Sequence, residues 1–234
     1  MIRVLVVSAG IASALVLGVG TAGATNECRG LNPCVPVAGP WVIVPVGNSV
    51  PRPEVQYVLS CPKGYVVGGL DAELSDRAIN VTFIGKTGSP VNPGITTSRT
   101  AVFSATYVGS AAGTPSFRPH IGCMPGGGGR RTPTAVSAVV PPGEPTTRRV
   151  RTLRVYAGVD QHIAQSCAAG ERLIAAYYAR GFYISAPPTQ RQAKDLVVTR
   201  KVSGTRFAAS VRSGAALLGV HAVVQISTVC AGGK

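Results

Sequence analysis

Acidic side chains are scarce in this sequence. Nine Asp and Glu stand against 23 Lys and Arg, a formal net charge of +14 at pH 7 over 234 residues. The scarcity narrows the chemistry on offer. Glycoside hydrolysis needs two carboxylates across the scissile bond, and only Asp71, Glu73 and Asp76 cluster along the chain. That trio lacks the alternating rhythm of a calcium loop, so a solvated acidic loop is expected. Histidine is scarcer still: His120, His162 and His221 stand apart. Zinc chemistry is short of ligands, since no C-x-x-C pair accompanies them. No G-x-S-x-G elbow offers a serine nucleophile. The expectation is therefore no catalytic residue, no metal ligand and no cofactor. Charged residues of either sign make up only 14% of the chain, too few to clothe long solvated helices.

Long apolar runs are missing too, with one exception. Residues 4–19 form an apolar stretch behind Arg3, and Ala22-Gly23-Ala24 is an A-x-A cleavage signal. This pattern reads as a signal peptide over residues 1–24, leaving a mature chain that begins at Thr25. Retention of the leader as a membrane anchor is the competing reading. Gly18-Val19-Gly20-Thr21-Ala22-Gly23 spells the dinucleotide fingerprint. The fold behind that fingerprint needs a helix after the glycines. Cys28, Pro33, Cys34, Pro36 and Pro40 follow instead, so the match is rejected. No transmembrane helix is expected in the mature protein.

What the chain has in quantity is glycine (29), proline (18), valine and threonine. That mixture favours short strands joined by turns. The strands are arranged around a repeated stretch. Ser60-Cys61-Pro62-Lys63-Gly64 recurs as Ser166-Cys167-Ala168-Ala169-Gly170, and each copy ends in a closing cysteine, Cys123 or Cys230. The copies differ where Gly68-Gly69 become Ile174-Ala175. Paired glycines in a strand mark a bulge or a close approach, so that feature is expected in the first copy and not in the second. The cysteines number six, all in the mature chain. An even count behind a signal peptide reads as three disulfides. The repeat assigns Cys61 to Cys123 and Cys167 to Cys230, leaving Cys28 with Cys34. Closing a loop of about 60 residues is worth about 4 kcal/mol in the chain-entropy model.

The fold class expected is all-β: two tandem, disulfide-stapled, β-sandwich-like modules formed by internal duplication. The divisions are a lead segment at 25–40, a first module at 41–125, a Gly/Pro-rich linker at 126–147 and a second module at 148–234. The lead reads as a loop closed by its own disulfide. Residues 172–178 and 181–185 read as separate strands, and 135–140 as an extra strand within the linker. Trp41, the one tryptophan, is expected in the core.

The residues Cys61-Pro62-Lys63-Gly64, Gly68-Gly69, Arg151-Thr152-Leu153-Arg154-Val155, Cys167, Gly170 and Val229-Cys230-Ala231 carry a resemblance. Together they resemble a small module found in secreted actinobacterial proteins, over residues 41–124 and 148–232. The resemblance implies a β-sandwich-like unit with no assigned catalytic residues.

Arg148, Arg149, Arg151 and Arg154 form the densest basic stretch, with Arg149 and Arg151 on one face of a strand by period two. They are the candidate anion-binding residues. Net charge of this size draws polyanions without choosing among them. The partner expected is an anionic cell-wall polymer or a membrane surface. Nucleic acid is disfavoured, because only Tyr156 stands nearby to stack on bases. The localisation expected is extracellular, with retention at the envelope as an option. Two alternatives remain open: a secreted hydrolase whose site assembles from scattered residues, and a protein-recognition module using the loop at 85–97.

Overall fold

A computed structural model of the chain describes residues 25–84, 99–110, 113–126 and 146–232. The leader, the 85–97 loop and the expected strand at 135–140 lie outside them.

Strands dominate. In chain order they are β1 (Val35–Ala38), β2 (Trp41–Ile43), β3 (Glu54–Ser60), β4 (Tyr65–Leu74), β5 (Ile79–Ile84), β6 (Thr100–Tyr107), β7 (Ser116–Pro125), β8 (Thr146–Val155), β9 (Gln161–Ser166), β10 (Glu171–Phe182), β11 (Leu196–Ser203), β12 (Arg206–Ser213) and β13 (Ala222–Gly232). One short helix, α1 (Gln190–Asp195), precedes β11. Within the described residues the strands form one seven-stranded sheet and two three-stranded sheets. In the large sheet β4 pairs with β7; β7 pairs with both β1 and β2; and β2, β10, β13 and β8 follow in order. The small sheets run β3–β6–β5 and β9–β12–β11. Each therefore carries, at one edge, the strand that leads into an opening cysteine. The lead segment is more than a disulfide loop: its residues 35–38 pair with β7 from Val35↔Cys123 to Ala38↔His120.

Alternation along β2 shows how the layers meet. Successive side chains of a strand point to opposite faces. Val42 joins the core cluster of Phe103, Phe117 and Tyr57. Ile43, the next residue, joins that of Phe182, Phe207 and Ile226. The two small sheets thus contribute to cores on opposite faces of the strand that the large sheet shares. Trp41 is buried beside them. β2 lies between β7 (Val42↔Phe117) and β10 (Val42↔Gly181). Gly181 is required here for space, since a Cβ on it would sit 2.6 Å from Pro40 Cγ and 3.0 Å from Val223 Cγ2.

The three disulfides form as Cys28–Cys34, Cys61–Cys123 and Cys167–Cys230. The two long-range ones each tie the edge of a small sheet to a long strand of the large one. Such bonds belong to an oxidising compartment. Among the described residues no helix is long and apolar enough to cross a membrane.

Three readings of local structure need correction. Residues 171–182 form one strand, because an unbroken partner, β13, pairs with it from Glu171↔Gly232 to Phe182↔Ala222. Bulges occur in both halves, at Val67/Gly69 and at Leu173/Ala175. A bulge needs two residues opposite one, and exposed Ile174 satisfies that as well as Gly68 does. The glycines serve close approach instead. A Cβ on Gly69 or Gly122 would fall 1.8 or 2.0 Å from the Glu27 carbonyl oxygen, so the lead segment rests directly on that pair. Finally, α1 went unread, although Thr189 and Gln192 form a capping box that the sequence spells out.

One side chain joins the halves. Gln225 of β13, 5% exposed, accepts from Val58 N–H at 2.7 Å through Oε1 and donates to Val58 C=O at 3.0 Å through Nε2. It does for the edge of β3 what another strand would do. Nearby, the Tyr57 and Tyr183 hydroxyls lie 3.5 Å apart. Burial, and then Tyr183, push the Tyr57 phenol well above the usual tyrosine range.

Two substitutions test this arrangement. Gly181→Ala drives a methyl into Pro40 and is expected to cost about 1–3 kcal/mol through overpacking. Gln225→Leu leaves both Val58 backbone groups without partners at a cost of about 2–4 kcal/mol. Urea unfolding of the oxidised protein reads both. Unchanged midpoints would mean that neither contact holds the halves together.

Candidate anion-binding site

The four arginines read as a stripe divide between two faces of β8. Arg148 and Arg154 share one face. Arg148 is partly buried, donates to Ser227 Oγ at 3.1 Å and lies 5.5 Å over the Tyr177 ring. Burial lowers its pKa, against the pull of Tyr177 and Glu54. Arg154 lies 5.8 Å over Tyr156. On the other face, Arg149 forms a bidentate pair with Glu171 at 2.6 and 2.9 Å. Arg151 donates to Ala164 C=O at 3.0 Å. Of the four, Arg151 alone lines the cleft that the second half presents.

That cleft is a trough of about 660 Å³ along β8, β9, β11 and β12. Cross-strand pairing explains its lining. Ser210 sits between His162 and Thr199, and Ala208 between Ala164 and Lys201. Directly opposed residues share a face, so these six lie together, with Arg206 two residues from Ala208 on the same side. The opposite face holds Phe207, Ala209 and Val211, which are buried in the core. Small alanines therefore form the floor. Exposed His162, Ser210, Lys201 and Arg206 form the walls. Arg200 also lines the trough, but its guanidinium lies over Tyr178 at 5.5 Å. No lining residue is acidic, and none is Phe, Tyr or Trp. Lys201 and Arg206 were missed in the sequence because the register of β11 on β12 brings them to Arg151. The turn at Ser203-Gly204, with Gly204 at φ +57°, sets that register.

The equivalent face in the first half is covered over β3 and the middle of β6. Gln56, Val102 and Ser104 lie on the side of β3–β6–β5 away from Tyr57 and Phe103, yet all three are buried. Val58 and Ala164 each stand three residues before an opening cysteine. The backbone of the first is held by Gln225, and the carbonyl of the second by Arg151.

The acidic trio is dispersed into structural roles. Asp71 accepts from Asn26 N–H at 2.6 Å, and Asp76 from the Tyr107 hydroxyl at 3.0 Å. Glu73 Oε1 lies 3.0 Å from His120 Nε2, whose Nδ1 is 3.6 Å from the buried Glu27. His162 Nδ1 lies 3.1 Å from Ser210 Oγ, and His221 stacks on Tyr183. Cys167, Glu171 and Cys230 gather within ligand distance of one another, but the two sulfurs are bonded to each other and Arg149 holds the carboxylate.

The chain matches no known family model, no curated protein and no solved structure.

The Arg149–Glu171 pair makes a pH prediction. Hydrogen bonds from Arg149, then the Ala168 amide, hold the Glu171 carboxyl below its usual range, with burial opposing. A depressed carboxylate stabilises the fold fully above its unfolded pKa of about 4.3 and loses that contribution as pH falls through the folded value. The wild-type advantage over Glu171→Gln is expected to be present at pH 7 and to shrink on acidification below about pH 4.3. Urea midpoints of both proteins across that range check it. An advantage independent of pH would reject the assignment.

Proposed function

We propose that this chain is a secreted, basic, non-enzymatic protein of the extracellular space or cell envelope that binds anionic wall polymers. Its architecture is two β-sandwich-like modules, 41–125 and 148–234, produced by internal duplication. The matching strand orders β3–β6–β5 and β9–β12–β11, each anchored by its own long-range disulfide, support that origin. The observation that carries the binding role is the trough, which gathers Arg151, Lys201 and Arg206 without a carboxylate among its lining residues. In a chain of net charge +14, the surrounding field adds attraction and speeds encounter.

A second reading, a secreted hydrolase assembled from scattered residues, draws on the His162–Ser210 contact in the same trough. A base that activates a serine is itself oriented by a third group, and the lining supplies no carboxylate for that purpose.

The deciding experiment is a pull-down of the mature, oxidised protein on purified cell wall across a salt series, with the length of the recovered polymer measured. Retention at low salt that fades steeply with added salt, with polymer length unchanged, is the expected result. Absence of retention at low salt would overturn the binding role. Shortened polymer that stays intact with Ser210→Ala would transfer the assignment to the hydrolase.

A further inference from the structure

The trough's chemistry selects among polyanions. We propose that it seats a base-free phosphate polymer, such as a polyol phosphate or polyphosphate chain, gripped through its phosphates. This rests on the anion-binding reading and narrows it to one ligand class.

Three features lead there. First, the strong groups are cationic donors. Arg151 spends one guanidinium nitrogen on Ala164 C=O, and its side chain makes no other hydrogen bond among the described residues. That single bond fixes the guanidinium at the rim, leaving its other donors to face a ligand. Planar guanidinium forks match the geometry of phosphate oxygens, and a lysine adds a point charge. Thr199 and Ser210 contribute hydroxyls at the same level.

Second, the lining lacks what other polyanions need. A base or sugar ring is held by stacking on aromatic planes, and the lining offers a single imidazole, His162, and no Phe, Tyr or Trp. Carboxylates and side-chain amides, the strong acceptors for sugar hydroxyls, are missing: the lining contains no Asp, Glu, Asn or Gln. A ligand recognised by its rings would find little here, whereas one recognised by regularly spaced phosphates would find all it needs.

Third, the dimensions suit a narrow chain. From β9 to β11 is two strand spacings, about 10 Å. The floor along that line is Ala164 and Ala208, the smallest apolar side chains available. A slender backbone fits over them with a phosphate reaching each wall.

The test is calorimetric titration of the mature, oxidised protein with inorganic polyphosphate, polygalacturonate and oligodeoxythymidylate, compared per charge at 50 and 200 mM salt. Polyphosphate is expected to bind at least tenfold tighter than polygalacturonate. Three neutralised phosphates would weaken it about twentyfold between the two salt concentrations. The double variant Lys201→Gln/Arg206→Gln is expected to lose tenfold or more. Arg191→Gln/Lys194→Gln removes the same charge from exposed positions on α1, away from the trough, and is expected to lose less than about twofold. Equal losses from the two doubles would overturn the trough as the seat. Equal affinity for polygalacturonate would overturn the phosphate class, and tighter binding of the oligonucleotide would overturn the base-free restriction, each while leaving anion binding intact. No binding to any probe at 50 mM salt would overturn both.

Discussion

Everything else in the structure depends on a three-residue strand that pairs with a neighbour on each side. Trp41, Val42 and Ile43 lie between a strand of the first half and a strand of the second. Without them, the β4–β7 and β10–β13 pairs would present unpaired inner edges toward each other. Exposed edges invite partners of any kind. With β2 in place the end of β10 at Gly181 and Phe182 and the start of β7 at Ser116 and Phe117 are joined in one sheet, and Val42 and Ile43 send their side chains into different cores. A strand this short cannot hold by its ladder alone. Its burial, the space left by Gly181 and the Gln225 clasp on β3 supply the remainder.

The same structure treats equivalent edges differently. The backbone of β3 meets a neutral amide, Gln225, in a buried seam; the matching carbonyl of β9 meets a guanidinium at the rim of an open trough. A buried amide satisfies one donor and one acceptor without introducing charge, which suits an interior. An arginine at an open rim remains hydrated and keeps donors to spare. The choice of side chain thus separates a seam from a surface.

Much of the framework was legible in the sequence. The repeated Ser-Cys-x-x-Gly stretch pointed to the disulfide pairs. Other features were hidden because they depend on distant partners. The continuity of β10 is imposed by β13, and no local signal overrides Gly181. The double glycine of β4 suggested a bulge or a close approach, and both occur, but that Gly69 admits the Glu27 carbonyl is a contact that only the folded chain reveals. The basic stripe misled in part because neighbours in sequence alternate in space. Arg149 is consumed by Glu171, while Lys201 and Arg206 arrive from a hairpin some fifty residues downstream.

The contrast between the outer faces of the two small sheets bears on how the protein can change over generations. On the first, Gln56, Val102 and Ser104 are packed, so a substitution there must satisfy its neighbours before anything else. On the second, Lys201, Arg206, His162 and Ser210 stand in solvent above a core maintained by other residues. They can be exchanged at little structural cost. One small sheet is therefore committed to holding the molecule together, which leaves the outer face of the other free to drift.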